Sequence, residues 1–209
     1  MEANSTDHSD RHLRVLDAAI VTFSRYGFRK TSMDEVARAA EISRQGLYLY
    51  FRNKDDLFRE AMQKLLDDGL ETVELTLSQP GVSIEDRLVA AMDAWFGRQL
   101  ELLGGDATDL LEHSSALPGD MFSRYCATFQ ERLEAAISGS ELAQAVGRQG
   151  LSSADVAETL YRCAVGWKRA RLTRAEFLGR ITTAVRVVCR RAPSPAVDRD
   201  APGCTGTPP

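Results

Sequence analysis

The sequence predicts an all-α protein, with a small amino-terminal helix-turn-helix unit of three helices followed by a larger helical domain. Three observations carry this. Apolar residues recur at spacings of three and four through most of the chain, the period of a helix with one buried face. Proline and glycine are scarce inside those periodic segments and collect between them. Charge is divided: residues 11–54 hold nine Lys and Arg against four Asp and Glu, a balance of +5, so the rest of the chain carries −9 of the net −4. A length of 209 residues with 44% hydrophobic and 27% charged side chains suits one or two compact domains. The expected organisation is a disordered start over 1–9, the helix-turn-helix domain over 10–56, a helical domain over 57–191 and a disordered tail over 192–209.

In the first helix Leu13, Leu16, Ile20 and Phe23 share a face, and Gly27 is placed for a left-handed cap after Tyr26. The second begins at Ser32, which has capping-box spacing to Glu35, and turns Val36, Ala37 and Ala40 inward over about two turns. Ser43 can cap a third short helix that buries Leu47 and Phe51, with Ile42 anchoring the turn before it. Two short helices joined by so tight a turn form a helix-turn-helix. A fourth helix is expected over Lys54–Leu77, then helices over Ile84–Leu103, near Thr108–Ser115, over Asp120–Ile137, Asp155–Arg171 and Arg174–Arg190.

The stretch ISRQGLYLYF, Ile42 to Phe51, is unusual for a solvent-facing helix. Once Leu47 and Phe51 are inside, an arginine, a glutamine and two tyrosines remain for the outer faces. In a major groove, Arg pairs with guanine and Gln with adenine through matched donors and acceptors, while tyrosine hydroxyls and Lys54 suit phosphate oxygens. Gly46 costs a helix about 1 kcal/mol relative to Ala, which close approach of the backbone to DNA would offset.

The segment FSRYGFRKTSMDEVARAAEISRQGLYLYFRNKDDLF, Phe23 to Phe58, resembles the amino-terminal DNA-binding domain of the tetracycline-repressor (TetR) family through its Phe-x-x-x-Gly, Thr-Ser, Val-Ala, Ser, Leu-Tyr-x-x-Phe and Lys-x-x-Leu pattern. The resemblance implies that Thr31 and Ser32 contact phosphate and cap the second helix. It further implies that Arg44, Gln45 and Gly46 occupy the base-reading positions, with Ser43 beside them in the DNA-binding set, and that Tyr48, Tyr50 and Lys54 hold the backbone. It also implies a palindromic double-stranded DNA operator, a homodimer, and a small-molecule effector that releases a repressor. Two positions depart from the family pattern: Glu41 stands where the turn usually has Gly, and Gly46 where Thr or Ala is usual.

For the second domain, Trp95, Phe96, Phe122, Tyr125 and Trp167 are candidate effector-pocket residues, because they are aromatic and sit on central segments. The last two helices carry more than one apolar stripe, so Tyr161, Val165, Phe177 and Val187 are candidate dimer contacts, consistent with a four-helix bundle between subunits. No cofactor or metal is expected: the histidines are scattered, and Cys126, Cys163, Cys189 and Cys204 lie far apart. The polar start and the lack of a long apolar run point to a cytoplasmic protein without a membrane span. An effector-free DNA-binding protein is one alternative. A helical enzyme is another, but Glu112, His113, Ser114, Ser115 and Cys126 form no recognisable nucleophile motif.

Overall fold

The computed structural model describes residues 3–103, 120–170 and 172–189, and every regular element among them is helical. Helix α1, Ala3–Tyr26, begins inside the stretch expected to be disordered, since neither Gly nor Pro interrupts the chain before Gly27. Its buried stripe is Val15, Leu16, Ala19, Ile20 and Phe23, whereas Leu13, expected on that stripe, is 44% exposed. Gly27 ends the helix at φ 77, the left-handed geometry that glycine adopts without Cβ strain.

Helix α2, Met33–Ala39, starts with the capping box: the Ser32 side chain accepts from the Glu35 amide, and the Glu35 carboxylate accepts from the Ser32 amide at 2.7 Å. Helix α3, Arg44–Tyr50, is capped by Ser43, whose Oγ accepts from the Gly46 amide at 3.0 Å. Helix α4, Lys54–Leu77, is capped by Asn53, whose Oδ1 accepts from the Asp56 amide at 2.8 Å. Phe23, Phe28 and Phe58 meet at centroid distances of 4.8 to 5.8 Å, two pairs edge-to-face, and Leu47 and Phe51 close the same core at 0% exposure. Burying each such side chain stabilises the unit by about 1.5–3 kcal/mol.

The segment expected as one helix over Ile84–Leu103 is a rod with an irregular centre. Helix α5, Ile84–Met92, passes into a π-helical turn, Asp93–Gly97, and then into α6, Arg98–Leu103. The Arg98 amide donates to the Asp93 carbonyl, five residues back. Ala94, Trp95, Phe96 and Gly97 are all buried in succession, more than one face of an α-helix can hide, and the wider turn accommodates them. Trp95 stacks on Phe129 while Phe96 faces Phe129, Tyr161 and Phe177.

Helices α7, Met121–Ser138, α9, Ser153–Arg169, and α10, Arg174–Cys189, follow the expected periodic segments. Helix α8, Glu141–Gly147, lies between the expected segments; Ser140 caps it, and Leu142, Ala145 and Val146 are buried. α4 packs on α1, α5, the π turn and α7, so it touches both the amino-terminal unit and the body. The expected helix near 108–115 and the expected tail over 192–209 lie outside the described residues.

Candidate nucleic-acid interface

The short α2, the Glu41-Ile42 turn and α3 project one face of α3 outward. Leu47 and Phe51 are fully buried, and Ile42 is half-buried in the turn. Facing the opposite way, Ser43, Arg44 and Gln45 are exposed, Tyr48 is 43% exposed and Leu49 is 86% exposed. A helix about 10–12 Å across fits a major groove of about 12 Å, so these side chains form the surface that base edges could meet.

Arg44 is held against α2. Its Nη1 donates to Asp34 Oδ2 at 3.1 Å, and its guanidinium lies 5.7 Å from the Tyr48 ring centre. Hydrogen bonding with Tyr48, then the charge of Asp34, raises its pKa above the ordinary arginine value. Gly46 sits close to the cap: a Cβ there would lie 3.1 Å from Ser43 Oγ, so the missing side chain also serves the turn.

Three expected backbone contacts are placed differently from the pattern. Thr31 is 2% exposed and its Oγ1 donates to the Gly27 carbonyl at 2.8 Å, so its hydroxyl faces the turn after α1 and not a phosphate. Lys54 Nζ donates to the Phe28 carbonyl at 3.0 Å and lies 4.3 Å over the Phe28 ring, which ties the start of α4 to the loop before α2. Tyr50 is half-buried, its ring 5.7 Å from His12 in an edge-on arrangement. Ser32 remains exposed and capping. Sequence reasoning did not find Asp34 as the partner of Arg44 or the Phe28 carbonyl as the partner of Lys54. Both contacts join different elements, and no local spacing announces them.

The candidate pocket aromatics divide into two groups. Trp95 and Phe96 are 2% and 4% exposed and packed in the core, Trp95 against Phe129 and near Gly69. Phe122, Tyr125 and Trp167 are half-buried; the Tyr125 hydroxyl donates to Asp67 on α4, and its pKa is pushed up to about 12, first by burial and then by that carboxylate. Beside them, Tyr161 bonds Cys126; burial raises both groups above their ordinary values and lowers that of Lys168. None of the five candidate aromatics lines either of two concavities seen among the described residues, although Asp67 lines the first. One of about 460 Å³ is lined by Asp67, Leu70, Glu71, Glu74, Leu75 and Arg132, and one of about 250 Å³ lies between α1, α4 and α6.

Of the candidate dimer contacts, Val187 is 69% exposed, and Tyr161 and Val165 are half-buried. Phe177 is corrected: at 0% exposure, against Phe96 and Trp167, it fills the subunit's own core and has no surface to give a partner. Among the described residues no group of three or more His, Cys, Asp and Glu could hold a metal ion, and no helix is long and apolar enough to cross a membrane.

Fold and site together define a helix-turn-helix protein with a helical body. Residues 15–61 match the family model described as bacterial regulatory proteins, tetR family, so the likeness to that family lies in the amino-terminal helix-turn-helix domain. The HTH-type transcriptional regulator YfiR of Bacillus subtilis (strain 168) is 35% identical over 77 residues, 36% of this chain and 38% of that protein. The chain thus spans about two fifths of the length of the curated relatives it matches. A transcriptional regulator from Rhodococcus sp. Rha1 shares the fold with a TM-score of 0.64 at 17% identity, covering 85% of this chain and 95% of that one. A TetR/AcrR-family regulator from Thermobifida fusca does so with 0.61 at 20%, covering 84% and 96%.

Proposed function

We propose that the chain is a homodimeric repressor that binds a palindromic DNA operator through α3 and leaves it when a small molecule binds the helical body. The observation that carries the reading is the outer face of α3, where Arg44, Gln45, Tyr48 and Leu49 stand exposed over a core of Leu47 and Phe51. Arg44 and Gln45 read bases; Ser32 and Tyr48, with the exposed Lys30, Arg38 and Arg52 around them, engage phosphates. Lys54, placed on the Phe28 carbonyl, positions the unit that makes those contacts.

Helix α4 links the two halves. At 24 residues it is about 36 Å long. It packs on α1 from Phe58 at least as far as Lys64 and also touches α5, the π turn and α7, so a ligand that prefers one arrangement of α7 would shift α4 and the spacing of the two heads. Half-buried Phe122, Tyr125 and Trp167 support a ligand-lining role, whereas the stacked Trp95 and Phe96 support a core role. The cytoplasm is the compartment this activity requires.

The test is selection of duplexes from a random pool with purified protein. Recovery of an imperfect palindrome, with Arg44→Ala and Gln45→Ala each costing about 1–3 kcal/mol and relaxing preference at separate base pairs, is the expected result. Unchanged affinity and preference in both variants would remove α3 from the interface.

A further inference from the structure

Leu49 is the most exposed large apolar side chain among the described residues, at 86%, and it stands in the last turn of α3. Its neighbours give it a direction. Leu47 and Phe51, two positions to either side, are fully buried, so Leu49 points almost directly away from the core. Gln45 precedes it by four residues, one turn, and its exposed amide lies on the same outer stripe. Arg44 and Tyr48 form the adjacent stripe, with Arg44 drawn toward Asp34. Gly46, three residues before Leu49, adds no side chain beside it, so the Gln45–Leu49 stripe can approach the floor of a groove closely.

We propose that Leu49 determines operator specificity by packing on the 5-methyl group of a thymine in the major groove, next to an adenine that Gln45 reads through N6 and N7. The inference rests on the reading of α3 as the DNA-recognition helix. Thymine is the one base whose major-groove edge carries an apolar group, and burying that methyl is what an aliphatic tip beside an adenine-pairing amide can do. The surroundings favour DNA over an apolar protein partner: residues 11–54 carry +5, and Lys30, Arg38, Arg44 and Arg52 are all exposed around this unit.

The experiment uses the full-length protein and a duplex selected by the wild type, with each thymine replaced in turn by deoxyuridine, which deletes only the methyl group. Affinity is read by fluorescence anisotropy. Wild-type protein should lose about fourfold at one thymine per half-site, the equivalent of one buried methyl. Leu49→Ala should bind the unmodified duplex more weakly and be indifferent to that same replacement, while Leu49→Met keeps the dependence. Because Leu49 is exposed, its variants should melt with the wild type. The proposal is overturned if no thymine replacement weakens the wild type, or if Leu49→Ala keeps the same penalty at the same position. Failure of the wild type to select any duplex would overturn the DNA reading itself, a result distinct from these two; a Leu49→Ala defect confined to binding another protein would replace DNA as the occupant.

Discussion

Glu41 sits at φ 55, the left-handed region, in the turn between α2 and α3. The turn is a Schellman arrangement: the Ile42 amide donates to the Ala37 carbonyl at 3.0 Å and the Glu41 amide to the Arg38 carbonyl at 3.2 Å. The departure from the family pattern therefore leaves the turn's geometry in place and keeps a side chain where glycine would be relaxed. A non-glycine residue in this region costs about 1–2 kcal/mol. Glu41→Gly, with an exposed side chain to lose, should raise stability by about 1 kcal/mol, read as a higher urea midpoint at unchanged slope. Much at this scale was legible in the sequence: the Ser32–Glu35 box, the Ser43 cap, the Gly27 terminus and the inward Leu47 and Phe51 all follow from local spacing. The buried hydroxyl of Thr31 and the Lys54 ammonium on the Phe28 carbonyl were not, because each depends on where another segment passes.

Helices α4, α7, α9 and α10 announce themselves by long apolar periods, whereas α8 is too short for a period to register, and the π turn breaks the period it sits in. That turn is fixed by Arg174 at the start of α10, whose Nε and Nη2 donate to Asp93 at 3.0 and 2.7 Å and whose Nη1 pairs with Glu101. A Cβ on Gly97 would fall 1.9 Å from Asp93 Oδ1 and 3.5 Å from the Arg174 side chain. Asp93 cannot move aside without leaving Arg174. Gly97→Ala should therefore destabilise by about 1–3 kcal/mol in urea unfolding, as overpacked sites do. Gly147→Ala, with nothing within 4 Å, should be neutral or slightly stabilising. Helix starts give a second prediction. Glu35, Asp155 and Glu176 each accept hydrogen bonds from the capping residue three positions earlier, Ser32, Ser152 and Thr173, and those bonds lower their pKa values. A carboxylate lowered on folding contributes stability that is fully present above its unfolded pKa and lost as pH falls through the folded one. The combined Glu35→Gln, Asp155→Asn, Glu176→Gln variant should accordingly show a flatter fall of Tm between neutral and acid pH than the wild type.

Over the whole molecule, the proposed repressor needs two heads on one two-fold axis, about 34 Å apart to meet successive major grooves. A single subunit leaves Val187 of α10 69% exposed, beside half-buried Ala184 and Val188, while Phe177, Ile181, Val185 and Cys189 of the same helix face the core. On α9, Val165 follows Tyr161 by one turn and is half-buried. In the proposed dimer, a second copy of α9 and α10 packed across a two-fold axis would cover Val187. In such an isologous contact each substitution is counted twice, so Val187→Asp buries two unpaired carboxylates of like sign. Dimer dissociation should become at least about tenfold easier, seen by sedimentation at micromolar protein, and operator affinity should fall with it because two tethered heads no longer bind together. The monomer should stay folded, since Val187 makes little of the subunit's own core. Val165→Asp should show the same dissociation with some loss of subunit stability, because Val165 also packs against the buried cluster. A wild-type protein that sediments as a monomer at that concentration would end both the interface and the palindrome, and the α3 reading would then have to stand on a single half-site.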